Sequence, residues 1–221
     1  MKKVISSILV MMLLFVTAQS FAQLNFGVKA GLNLANMTAK DKDNTWSDDY
    51  SMKTGFHLGV TAGFSIMDNL FIEPGLLFST KGFKVDEDGG NYTFNMNYLD
   101  IPINAIYKID LGCLNVFVHT GPYFGYAISG KMKSDDKIFM TDNFELTDEQ
   151  DIEIGSDEAK DDIKALDIGW NIGAGVEISG ITVGIQYGLG LANLSPSTAN
   201  ETVAKNKVIG ISVGYNLTGK K

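Results

Sequence analysis

No arginine occurs in the 221-residue chain, cysteine occurs once, histidine twice and proline four times. Without arginine's planar fork, and with a formal net charge of −8, the chain has no surface suited to a phosphate backbone, so nucleic acid is set aside as a partner. Cys113 has no second thiol to join, which removes internal disulfides as a source of stability. Beyond the N-terminus no stretch reaches the roughly 18 unbroken apolar residues that a transmembrane helix needs.

What is present begins with Lys2 and Lys3, an apolar run from Ile8 to Val16, and Ser20-Phe21-Ala22 with small residues flanking a cleavage point. This reads as a secretory signal peptide over residues 1–22, cut after Ala22. Residues 23–221 then form one domain, since no composition break divides them.

From Leu24 onward the apolar residues recur with period two, the mark of strands with two unlike faces. Leu24, Phe26, Val28, Ala30, Leu32 and Leu34 oppose Asn25, Gly27, Lys29, Gly31 and Asn33. The same alternation fits strands over 56–66, 70–82, 99–109, 114–130, 166–178, 181–191 and 209–217. Tyr92, Phe94 and Met96 stand on the opposite parity to Leu99 and Ile101, which predicts a bulge or the membrane boundary near Asn97 and Tyr98.

The charged residues and histidines within these strands, Lys29, His57, Glu73, Lys81, Asp100, Lys108, His119, Asp167 and Glu177, all share the glycine-rich face. A lysine facing lipid at the midplane would cost roughly 2–4 kcal/mol, and small residues suit a narrow interior, so this face is the inner one. Connections alternate between short ones (67–69, 110–113, 179–180) and long ones (35–53, 84–91, 131–163, 193–206). An eleven-residue strand tilted by about 40° rises roughly 28 Å, the height of a membrane's apolar band.

The expected fold is therefore all-β: an eight-stranded antiparallel up-and-down transmembrane β-barrel of the outer-membrane type, with short periplasmic turns and long extracellular loops. Outward Phe26, Phe64, Tyr107 and Tyr215 would form one interfacial girdle, and Phe56, Phe78, Tyr126 and Trp170 the other. The expected location is the outer membrane of a Gram-negative cell, with membrane lipid as the constant partner.

The chain also resembles the PorT-like outer-membrane β-barrel family. The resemblance rests on Gly27-Val28-Lys29-Ala30-Gly31-Leu32-Asn33, Glu73-Pro74-Gly75-Leu76, Tyr98-Leu99-Asp100-Ile101-Pro102, Gly121-Pro122-Tyr123 and Gly173-Ala174-Gly175-Val176-Glu177. It implies fold and address; most such proteins have no assigned activity, some relatives are linked to protein secretion, and no catalytic residue is carried over. One departure is the C-terminus, Leu217-Thr218-Gly219-Lys220-Lys221, where such barrels commonly end in an aromatic residue; Tyr215 is the candidate substitute.

His57 and His119 share the inner face with four carboxylates, which invites acid–base chemistry or a metal. The competing reading is a lumen polar network in which Lys29, Lys81 and Lys108 pair with those carboxylates, because buried charge must be paired. No serine or aspartate is spaced to mark a partner for either histidine, so no catalytic, cofactor or metal site is assigned and the chain is read as a non-enzyme. Loop 131–163 carries twelve acidic residues and four lysines. It reads as a solvated acidic loop, with weak divalent-cation binding as the alternative, since the ordered spacing of a calcium loop is missing. Ser156 is a candidate cap for a short helix there. Trp46 and Tyr50 in loop 35–53 are candidate contacts for an envelope partner, as is loop 131–163 itself.

Two functions follow: a non-enzymatic barrel acting through its loops, or a small-solute channel, for which the many lumen glycines leave room although Phe117 and Tyr123 point inward. A barrel hydrolase and a soluble lipid-binding barrel are the remaining alternatives.

Overall fold

The computed structural model describes residues 24–45, 47, 50–87, 90–135, 139–140, 146–197 and 201–218. The expected signal segment with its cleavage point, and Trp46, lie outside the described residues. Among the described residues no helix is long and apolar enough to cross a membrane.

The strands are β1 (Leu24–Lys40), β2 (Tyr50–Met67), β3 (Leu70–Glu87), β4 (Gly90–Asp110), β5 (Asn115–Ser134), the short β6 (Phe139–Met140), β7 (Leu146–Thr147) and β8 (Glu149–Asp151), then β9 (Leu166–Ile178), β10 (Ile181–Gly190) and β11 (Val203–Asn216). The eight long ones form an antiparallel ring in the order β1-β2-β3-β4-β5-β9-β10-β11, closed by pairing of β11 with β1. Each short connection is a tight hairpin. At Ser179-Gly180 both residues have positive φ (51° and 83°), the primed turn whose twist matches the flanking strands.

Alternation decides the two faces. Leu32, Leu58, Ile172, Ile185 and Val213 stand outward and exposed, whereas Asn33, His57, Lys81, His119 and Asp167 are buried within. Water cannot be the solvent of such an exterior; a band of lipid can. Phe26, Tyr107 and Tyr215 are exposed near the short-turn rim, and Phe56, Tyr126 and Trp170 toward the other. Trp170 keeps its indole satisfied by donating from Nε1 to Thr120 Oγ1 at 2.7 Å.

The expected loops 35–53, 84–91, 131–163 and 193–206 need correction. β1 runs on to Lys40, β2 starts at Tyr50, β3 and β4 meet at Glu87 and Gly90, β5 reaches Ser134, and β11 starts at Val203. In the extensions of β1, β3, β4 and β5 the polarity reverses: Met37, Ala39, Phe83, Val85 and Met96 are buried inside, while Lys84, Lys131 and Lys133 are exposed outside; β2 keeps the lower pattern, with Met52 exposed and Lys53 buried. Above the girdle the wall meets water instead of lipid, so the apolar residues turn inward as in a soluble protein.

That reversal also explains the parity change in β4. A register shift does fall between Asn97 and Tyr98, where Asn97 faces Ser129 and Tyr98 faces Ala127, leaving Ile128 of β5 as the extra residue. β4 itself does not turn over: Met96, Tyr98 and Asp100 are all buried on one side. It is β5 that flips, from Ala127 inward to Gly130 inward. Pro74, Pro102 and Pro122 lie inside strands, and the ladders lapse beside them, between Pro74↔Ile103 and Leu77↔Asp100 and between Pro102↔Tyr123 and Ala105↔Thr120.

The acidic segment is also more structured than a solvated loop. β6 pairs with β7, and β8 adds to the edge of β5, Glu149 opposite Lys133. Glu149 accepts from Lys131 Nζ at 2.8 Å and pairs with Lys133. Asp157, not Ser156, organises the following turn, accepting from Ala159 N at 3.1 Å while its carbonyl accepts from Asp161 N at 2.8 Å.

The two lysines hold the Glu149 carboxyl down to about 2, against an ordinary value of 4.5. A depressed carboxylate contributes its full stability above the ordinary value and loses it as pH falls through the folded one. Amide protection factors in β8 are therefore expected to hold from about pH 7 to about pH 5 and to drop between about pH 4 and about pH 2. Protection that persists unchanged at the acid end would remove the ion cluster as what docks this strand.

Candidate functional site

The inner wall is stacked in layers, and each layer follows from which inward positions the register brings to one height. Nearest the short turns, Lys108 Nζ donates to Glu177 Oε2 at 2.6 Å and lies 4.9 Å from the Phe71 ring centroid. Lys29 Nζ donates to Gln186 Oε1 at 3.2 Å. Glu73, Asn104 and His119 complete this level around a cavity of about 60 Å³. Asn104 Oδ1 and His119 Nδ1 have no partner among the described residues.

At mid-height a hydrogen-bonded chain links four strands, β11, β1, β2 and β3. Gly31 of β1 is paired with His57 of β2 on one side and Ser212 of β11 on the other. Because Gly31 has no side chain, the His57 ring passes over it; a Cβ there would stand 2.6 Å from His57 Cε1. His57 Nε2 lies 3.0 Å from Ser212 Oγ, and His57 Nδ1 lies 2.8 Å from Asn33 Oδ1. Asn33 Nδ2 donates to Ser79 Oγ at 3.0 Å and to Thr80 O at 3.1 Å.

Above it sits a buried charge cluster. Lys81 Nζ lies 3.0 Å from both Asp100 Oδ1 and Asp167 Oδ2, and 4.5 and 4.6 Å from the ring centroids of Tyr98 and Tyr123. Tyr123 donates its hydroxyl to Asp167 at 3.2 Å, and Asn206 Nδ2 donates to Asp167 at 2.9 Å and to the Tyr98 hydroxyl at 3.3 Å. The second lumen cavity, about 40 Å³, lies just below between Asn33, His57, Asp100 and Tyr123. One water needs about 10–15 Å³, so both cavities have room for a few waters and for no sizeable solute.

The room that lumen glycines would leave for a channel is taken by neighbouring rings. A Cβ on Gly31, Gly169, Gly173 or Gly175 would overlap His57, Tyr123, His119 or Phe117 respectively. Small residue and ring are complementary halves of one packing pattern.

On top of the charge cluster lies an apolar layer: Met37, Phe83, Val85, Met96, Tyr98, Ala127, Ile163 and Leu194. Phe83 is sandwiched between Tyr50 and Phe94, with centroids 4.2 and 4.5 Å away and planes 14° and 12° apart. Tyr50, expected in a loop as a partner contact, instead opens β2 and stacks inward. Ile163 and Leu194 come from the loops that fold over the barrel mouth, joined by Lys164 N donating to Leu194 O at 2.8 Å.

Of the nine inner-face residues singled out in the sequence, Lys81, Asp100 and Asp167 form one cluster and Lys108 and Glu177 one pair. Lys29 finds an amide rather than a carboxylate, and His57 and His119 stand apart from one another. Sequence reasoning missed Asn33, Ser212, Tyr98 and Asn206. Tyr98, Asn33 and Ser212 each carried the signal of inward parity; what carried none is the meeting of Ser212 with His57, 155 positions away. Among the described residues no three of His, Cys, Asp and Glu converge on a metal position.

No curated protein matches the chain. Among solved structures it is similar to OprG of Pseudomonas aeruginosa (12% identity, 90% of this chain and 98% of that one, TM-score 0.46). It is also similar to the Neisserial surface protein A (12% identity, 87% and 97%, TM-score 0.43) and to the outer membrane enzyme PagL (10% identity, 86% and 98%, TM-score 0.43). A family described as "Outer membrane protein beta-barrel domain" matches residues 17–195, a span that takes in β1 to β10. The closed ring with its lipid-suited exterior and that match agree: the chain belongs to the outer-membrane protein β-barrel domain family and resides in the cell's outer membrane.

Proposed function

We propose that this barrel is a sealed, PorT-like, non-enzymatic anchor that acts through its long-loop end rather than a pore through the membrane. The observation that carries this reading is the interlocked lumen, from the Lys108–Glu177 pair through the His57 chain to the Lys81 cluster, with cavities of only about 60 and 40 Å³ between them. The PorT-like assignment is supported by where its motifs fall: Lys29, Gly31, Asn33, Glu73, Asp100, Tyr123 and Glu177 lie in the quoted segments and line this lumen. The unit 23–221 following a cleaved 1–22 leader belongs to the same proposal.

In planar bilayers the purified barrel is expected to give no steady current above the bare membrane. A stable open level in most insertions would return the small-solute channel to first place.

A second reading has one observation behind it. Ser212, His57 and Asn33 stand in the order and at the distances of a nucleophile, base and orienting amide. Against it, all three are buried, and Ser212 faces a cavity of about 60 Å³, too small for an acyl substrate. A fluorophosphonate probe is expected to leave Ser212 unmodified; labelling that disappears in His57→Ala would make the barrel a hydrolase.

A further inference from the structure

We propose that the outer end of the barrel is a binding chamber for a small, uncharged, predominantly apolar molecule carrying a planar ring. Between the inward strand walls and the loops over the mouth lies a cavity of about 360 Å³, lined by Met37, Tyr50, Phe83, Phe94, Met96 and Leu194 among others. It is several times larger than either polar cavity of the lumen. Its volume falls in the range of small-molecule pockets, and a cavity of about 150 Å³ already admits benzene, so this one takes a two-ring compound or a short chain.

Three features set the chemistry of the occupant. The Tyr50–Phe83–Phe94 stack presents parallel rings, with planes 14° and 12° apart, on which a further flat ring can lie offset. The polar groups among the lining residues are mostly engaged: Asp162 Oδ2 accepts from Glu153 N at 2.9 Å and Ser195 Oγ donates to Ser197 O at 3.1 Å. Asp151 and Asp162 at its margin, on an acidic chain, disfavour an anion. Below, the Lys81–Asp100–Asp167 cluster closes the chamber off from the lumen, so the occupant enters from the outer side.

The alternative, a void left by imperfect packing, sits poorly with the tight packing directly beneath it. Apolar walls of this extent are poorly hydrated when water fills the chamber, and an apolar occupant relieves that cost. The proposal stands whether or not the lumen conducts.

The test is photolabelling of the full-length mature barrel in lipid nanodiscs with an uncharged naphthyl diazirine, the labelled residues being mapped by mass spectrometry. Saturable labelling of Met37, Phe83, Phe94 or Met96 is expected, competed by naphthalene and not by naphthalenesulfonate. Filling the chamber with Ala39→Phe or, separately, Ala204→Phe should cut that labelling about tenfold while the heat-dependent gel shift of the folded barrel is retained. Label confined to lipid-facing positions such as Leu32 and Ile172, equal competition by the sulfonate, or undiminished chamber labelling in a folded filled variant would each overturn the proposal. Should neither variant fold, the competition pair on the unmodified barrel decides it.

Discussion

Lys81→Met is expected to lower the stability of the folded barrel by about 3–5 kcal/mol, the largest effect of any single inner-wall substitution. The substitution keeps the length of the side chain and its contacts with Tyr98 and Tyr123 but leaves two buried carboxylates, Asp100 and Asp167, with no cation between them. Desolvation of an unpaired ion, rather than loss of an attraction, dominates that cost. The triple variant Lys81→Met, Asp100→Leu, Asp167→Leu should recover most of the loss, since an apolar replacement of a whole buried ion group is often close to neutral. Reversible urea titration in lipid vesicles, followed by heat-dependent gel mobility, measures both. If the single and triple variants lose stability equally, packing volume and not charge is what Lys81 contributes.

Gly31→Ala is expected to destabilise by about 1–3 kcal/mol, whereas Gly63→Ala on the neighbouring strand should be neutral or slightly stabilising. Both glycines face inward, and both gain the same methyl group. At Gly31 the new Cβ would meet the Ile211 carbonyl and the His57 ring that crosses toward Ser212. At Gly63 its nearest neighbour would be 3.7 Å away, an ordinary contact. Only the first can break the His57–Ser212 hydrogen bond, so its cost should shrink when His57 is also replaced by Ala, leaving the backbone clash. Equal effects at the two glycines, by the same urea titration, would show that lumen glycines serve strand flexibility and not ring packing.

The legible and illegible parts of this molecule divide along a physical line. Strand parity and the sorting of charge and glycine onto one face are local properties and survive in the folded ring with little change, whereas the rhythm of short and long connections fails between β3 and β4, which are joined by two residues. Phe94, Met96 and Tyr98 show where local reading stops. Their parity was visible, but one pattern suits two causes: a strand that turns over, or a strand that keeps its face while its surroundings change from lipid to water. Choosing between them required β5, where Ile128 takes up the register shift. Loops 35–53 and 84–91 are shorter in the folded chain than alternation implies for the same reason, because apolar residues inside the upper wall break the outward pattern that marks the strands lower down.

By itself the amino-acid sequence determined the architecture, the inner and outer faces and the membrane address: period-two alternation calls for strands with two unlike faces, and the gathering of charge and glycine onto one of them turns the bulky apolar face of the closed barrel to lipid. Only the tertiary structure decided which inner residues meet. Lys81 and Asp167 are 86 positions apart, and His57 and Ser212 are 155 apart, so no spacing could announce either contact. Ring closure and strand register bring them to one height, and the same register seals the lumen with rings laid over glycines and leaves the apolar chamber open above.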